Sequence, residues 1–136
     1  MKKIVLRNVQ VVGMHHYGRR NLELMGSYRV AMEKDNKHDP FAVAVYDGTR
    51  KVANLKRDAA RVLYEILSSP YVKSNALLRP TDIADVKTRK VGPQQPCAIV
   101  FKCDTSDIES VKAIVTRQSH TGIYVKVMEL PAKRNI

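Results

Sequence analysis

Two strand-like runs hinged on an Asp-Gly pair most narrow what this chain can fold into. In "AVAVYDG", Ala42 to Gly48, the valines recur at every second position before a tight turn, and "KVANL", Lys51 to Leu55, stands beyond it as the strand that would pair with it in a hairpin. Alternation puts one set of side chains on one face of a strand, and Asp-Gly supplies the positive-φ residues of a two-strand hairpin. The surrounding runs share this character. Lys3–Val12 carries Ile4, Val5, Val9, Val11 and Val12 and ends at Gly13; Tyr28–Lys34 alternates; Pro96–Cys103 reads as a buried strand and Gly122–Leu130 as a last one. Helical spacing occurs twice. Ala59, Val62, Leu63, Ile66 and Leu67 form one apolar face, with Asp58 in the first turn and Pro70 closing the element. Ile108, Val111, Ile114 and Val115 form another, ending near Thr116, with Ser106 and Glu109 spaced as a capping box. Between them, Ser74–Pro96 is irregular, with "IADV" at Ile83–Val86 as a candidate short strand.

Short strands joined by tight turns, with helices inserted rather than alternating, predict a mainly β fold with accessory helices: a small OB-like or curved antiparallel β-barrel. A doubly wound parallel sheet is disfavoured because no Gly-rich strand-to-helix turn is present. At 136 residues and 44% hydrophobic, the chain holds one core. One domain over residues 1–130 is expected, followed by a short basic tail at 131–136.

Charge narrows the partners. Lys and Arg number 24 against 13 Asp and Glu, a formal +11, which suits phosphate backbones. The two cysteines, Cys97 and Cys103, lie on one strand at a spacing unsuited to a metal clamp or a secreted disulfide framework, and are expected to be buried free thiols. The basic, apolar start is broken by Arg7, Asn8 and Gln10 before a signal-peptide core forms, and no run approaches the roughly 20 apolar residues of a membrane span. A soluble intracellular protein without membrane contact is expected, nuclear in a eukaryote, or in the cytoplasm or at the nucleoid of a bacterium.

No nucleophile motif is present, and the spacing of His15, His16, His38 and Asp39 matches no metal-ligand pattern, so neither catalysis, a metal nor a cofactor is expected. Two clusters stand out. His15, His16 and Tyr17, with Arg19 and Arg20 close behind, combine flat rings with cations, as base stacking on a single strand requires; the same residues also suit an ordinary solvated turn. Asn36, His38 and Asp39 lie at the join between a charged run and a strand. Asn36 and Asp39 are turn formers and Pro40 cannot join a ladder, so a capping loop accounts for them; equally, a carboxylate accepts a hydroxyl proton, which a free nucleic-acid end offers and an internal phosphodiester does not.

Three stretches, "VVGMHHYG" (Val11–Gly18), "EKDNKHDPFAVAVYDG" (Glu33–Gly48) and "KVANLKRDAARVLYEIL" (Lys51–Leu67), resemble the HIRAN domain over residues 9 to 68. The resemblance implies a modified OB-like barrel that binds single-stranded DNA at its free 3′-hydroxyl end, serving repair and replication. It assigns Asp39 to the terminal hydroxyl, Asn36 to the motif's Asn, His38 and His16 with Tyr17 to stacking, His15 to a phosphate-contacting position, Asn54 to a His/Tyr position, and Lys56 and Arg57 to the basic strand end. Departures are visible: histidine stands at two stacking positions and in place of an arginine at 15, Phe41 stands for a second Asn, and Ala53 for a glycine. Because members are often fused to translocases or nucleases, a helicase, translocase or nuclease partner in trans is implied. The alternative is a module of the same fold that binds protein or nucleic acid by charge, without reading ends; a metal-dependent nuclease is a third class.

Overall fold

The structure, a computed structural model, describes residues 1–85 and 92–129. Among the described residues, seven strands and two helices follow one another as β1 (Lys2–Val12), β2 (Tyr28–Met32), β3 (Val43–Asp47), β4 (Arg50–Leu55), α1 (Arg57–Ser68), β5 (Leu77–Pro80), β6 (Gln95–Cys103), α2 (Ile108–Thr116) and β7 (Tyr124–Met128). All pairings are antiparallel, in the order β4-β3-β2-β5-β6-β1-β7, and a further β4–β1 pairing closes six of the strands into a ring. The expected OB-like barrel is therefore present.

Closure depends on how β1 divides its edges. Its first half pairs with β7 from Lys3 to Arg7, and its end pairs with β4 at Val11 and Val12. Between the two, the register against β6 shifts after Leu6 and Asn8 adopts φ 67, a left-handed conformation asparagine tolerates better than most residues. Its Nδ2 donates to the Gly122 carbonyl at 3.2 Å, tying the bulge to the loop before β7.

Alternation along β1, β3 and β6 sends Ile4, Leu6, Val9, Val43, Val45, Ile99 and Phe101 into one core. α1 lays Ala59, Val62, Leu63 and Ile66 over β2, β3 and β4, each large side chain contributing about 1.5–3 kcal/mol by burial. The fully buried Gln95 is satisfied on every side: its Oε1 accepts the Leu22 amide at 2.7 Å, and its Nε2 donates to the Leu22 and Asp82 carbonyls at 2.9 Å each. It staples two long loops to the barrel.

Two expectations need correction. The strand within the irregular stretch is Leu77–Pro80; of the expected Ile83–Val86, Ile83 and Ala84 lie in no strand, Asp85 makes an isolated antiparallel bridge with Gln94, and Val86 lies outside the described residues. The strand is selected by its neighbours, since Leu78 pairs with both Tyr28 and Ile99. The Ser106 capping box also does not form. Thr105–Asp107 make a 3-10 turn, α2 starts at Ile108, and no side chain caps it. Cys97 and Cys103 are buried free thiols as expected. The tail at 131–136 lies outside the described residues.

Candidate nucleic-acid interface

At the end of β2 the chain turns through Glu33–Phe41 before entering β3. Asn36 organises this turn: its Oδ1 accepts the His38 and Asp39 amides at 2.9 and 3.0 Å. Asp39 organises the next, its Oδ1 accepting the Phe41 amide at 3.0 Å and its carbonyl the Ala42 amide at 3.2 Å. The other carboxylate oxygen faces Arg57 Nε at 3.8 Å. Arg57 also donates to the His38 carbonyl at 3.2 Å, so the first residue of α1 clasps the loop. His38 itself is exposed.

The second cluster is a 3-10 turn, Met14–Tyr17, bracketed by Gly13 at φ 80 and Gly18 at φ 72. Those conformations favour glycine and let the chain reverse twice over a short span. Met14 is fully buried and anchors the turn, which leaves His15, His16 and Tyr17 exposed. The two imidazoles lie side by side, centroids 4.0 Å apart and 39° from coplanar. Arg19 is drawn away to Asp47 at 3.0 Å, beside the β3–β4 turn, while Arg20 is exposed.

A half-buried hub joins the clusters. Glu33 Oε2 accepts from Lys51 Nζ at 2.8 Å and its Oε1 from Asn54 Nδ2 at 2.5 Å; Asn36 bonds it too. Lys51 also reaches the Tyr17 phenol, 5.9 Å from the ring centroid. Burial alone would raise the Glu33 carboxyl, but hydrogen bonds from Lys51 and Asn54 and the Lys51 charge hold it below the ordinary value of 4.5. Burial would likewise lower Lys51, but its bonds to Glu33 and Tyr17 hold it above 10.5. Asn54 also donates to the Val43 carbonyl at 3.3 Å, so its amide points into this hub.

Tyr17, Asn36, His38, Asp39, Asn54 and Arg57 are thus gathered by one hydrogen-bonded and ionic chain, with His15 and His16 on the same turn as Tyr17. Lys56, whose amide donates to the Gln10 carbonyl at 2.8 Å, precedes Arg57 at the start of α1. Sequence reading missed Glu33 and Lys51, the two residues that do the gathering. Glu33, just past the end of β2, and Lys51, in β4, gave no signal, because the partners of Glu33 lie 18 and 21 residues away in the chain. It also missed Arg61, whose guanidinium lies 4.8 Å above the Phe41 ring. Among the described residues no three His, Cys, Asp or Glu side chains converge as metal ligands, and no helix is long and apolar enough to cross a membrane.

The sequence matches the HIRAN domain family over residues 4–92. The chain belongs to that family. HIRAN domains are DNA-binding modules, and the match extends well past the three stretches that first suggested it. The crystal structure of the HIRAN domain of human HLTF superposes with a TM-score of 0.64 at 14% identity, covering 86% of this chain and 93% of that one. At that identity the likeness establishes the shared HIRAN fold. No curated protein sequence matches the chain.

Proposed function

We propose that this HIRAN domain is a non-catalytic module that holds the free 3′-hydroxyl end of single-stranded DNA. The observation that carries the reading is the state of Asp39. Its loop is fixed by Asn36, one carboxylate oxygen is occupied by the Phe41 amide, and the other is turned toward a guanidinium whose side chain is 79% exposed. An ion pair that exposed is weak, so Arg57 is free to exchange Asp39 for a strand phosphate while the carboxylate accepts the terminal hydroxyl. The same negative charge repels a phosphate-blocked or continuing strand, so one residue selects ends by attraction and by repulsion.

Around Asp39, His16, His38 and Tyr17 offer faces for the terminal bases, and Lys56, Arg57 and Arg20 supply positive charge; Arg19 adds its own only on leaving Asp47. Stacking accepts any base, so sequence preference is small, and removing one stacking face costs about 1–3 kcal/mol. His15, on the same turn as His16 and Tyr17, adds a polar contact for the backbone. Asn54, bonded to Glu33, acts as a positioning residue. The module delivers a DNA end to a translocase or nuclease acting in trans, in the compartment that holds the genome.

Anisotropy titrations of labelled strands ending in 3′-hydroxyl or 3′-phosphate test this. The intact domain favours the hydroxyl. Asp39→Asn keeps an oxygen for the Phe41 amide but removes the charge, so it loses the preference while binding 3′-phosphate strands at least as tightly. A preference unchanged in Asp39→Asn refutes the assignment; equal, salt-steep binding of both strands by the intact domain makes this an interface that works by charge alone.

A further inference from the structure

Past Asp39 a trough continues over the outer face of α1. It begins as a pocket of about 240 Å³ lined by Asp39, Pro40, Phe41, Arg57 and Arg61. Through the two arginines it opens into a larger one of about 600 Å³, which adds Lys56, Asp58, Gln118 and His120. Arg57 and Arg61, four residues apart, project from one helix face about 6 Å apart along the axis, on the scale of successive phosphates in an extended strand.

Three features of this trough match one ligand chemistry. Lys56, Arg57 and Arg61 outnumber Asp39 and Asp58, and the Asp58 Oδ1 already accepts the Ala59 amide at 2.7 Å. Phe41, 37% exposed, presents a ring braced edge-on by Tyr64 at 5.5 Å and flanked by the Arg61 guanidinium, a pair of planar groups against which a base can lie. Beyond it, Glu65 is paired with Arg117, so no free carboxylate of that residue repels a backbone there. Positive charge spaced along a shallow track, with a planar platform beside it, suits a phosphodiester chain better than a compact anion.

We propose that this trough holds nucleic-acid backbone beyond the terminal nucleotides, with Arg61 and His120 as phosphate-binding residues that the end pocket does not use. The inference rests on the 3′-end reading: a strand ending at Asp39 must lead its remaining phosphates away from that residue, and the trough starts there. Either the same strand or the complementary strand of an adjoining duplex supplies the same chemistry.

The test compares, with the full chain, labelled thymidine strands of about 4 and about 12 nucleotides, and the short strand as an overhang on a duplex. Both extensions are measured against the short strand, with hydroxyl and phosphate ends. The intact protein should bind at least one extended ligand several-fold more tightly. Arg61→Glu and His120→Glu should each erase much of that gain and flatten the salt dependence by about 0.7 for every phosphate that is no longer neutralised, weakening the extended ligands several-fold more than the short strand. Arg79→Glu, an exposed charge reversal on β5 outside the trough, should keep the gain. A gain seen with the long single strand assigns the same strand; one seen only with the duplex assigns the complementary strand. The proposal is overturned if neither extension tightens binding, if the gain survives both trough variants, or if they weaken short and long ligands equally. Failure of the hydroxyl preference is read separately, on the short strand, and refutes the end pocket instead.

Discussion

Replacing Glu33 by Gln and by Ala separates the charge of the hub from its shape. Glu33 and Lys51 side chains are 21% and 26% exposed, so their bond lies between a surface pair, worth about 0–1 kcal/mol, and a charge-assisted bond in the interior, worth about 1.5–3. Gln keeps an oxygen for Asn54 and forfeits the charge, which sets its cost at about 1 kcal/mol. Ala also strands the Asn54 amide, which keeps only its 3.3 Å bond to Val43, and adds about 1 kcal/mol more. For a domain of this size the losses correspond to roughly 3–4 and 6–8 °C in Tm. The pH dependence gives the sharper test. The folded Glu33 carboxyl lies below its ordinary 4.5, so its stabilisation is fully present above that value and is lost as pH falls through the folded pKa. Lys51 lies above 10.5, so its share is present below that value and is lost as pH rises through the folded pKa. Thermal melts followed by circular dichroism should therefore show the Glu33→Gln deficit across the neutral range and its shrinkage in acid, where the native residue is itself neutral. A deficit that stays constant into acid, or Gln and Ala variants that melt together with the parent at pH 7, would refute the assignment of this pair as the link between the two loops.

Two further outcomes follow from the same geometry. Asn36→Ala removes the acceptor of two backbone amides and should cost about 1–2 kcal/mol in urea unfolding, whereas Asn36→Asp, which can accept both, should recover most of it; equal losses in the two variants would show that the loop does not depend on that oxygen. Burial pushes the Cys97 thiol up to about 12, so on a Cys103→Ser background it should resist a disulfide reagent at pH 8 in the folded protein and react on unfolding; rapid labelling of the native state would contradict the burial.

The strands that the sequence disclosed are those whose signal is local, such as β3 and β4 around Asp47-Gly48. β5 escaped because "LLRP" has no alternation and ends in proline; it is a strand only because Tyr28 on one side and Ile99 on the other present ladders to it. The capping box at Ser106 failed for a related reason: the 3-10 turn from Thr105 moves the helix start past the residue whose hydroxyl was to cap it. At the interface, Asn36 and Asp39 were legible both as turn formers and as candidates, and the structure gives each an explicit backbone partner. Glu33 and Lys51 were not legible, since a charged loop residue and a charged strand residue look like any solvated face until the barrel brings them together. Arg61 was hidden in the same way, as one more exposed residue of an amphipathic helix.

The divided edge of β1 also sets the order in which the protein can be made. Val11 and Val12 find β4 as soon as Leu55 has emerged, but Lys2 waits for Cys103 and Lys3 for Met128. On a ribosome, β1 emerges before the other strands of this domain and is thus among the last to be fully paired, with most of its hydrogen-bonding edge open while the greater part of the domain is added. Such long-range closure makes for slow folding, and the exposed "KIVL" segment is the part of the nascent chain most in need of shielding from other strands.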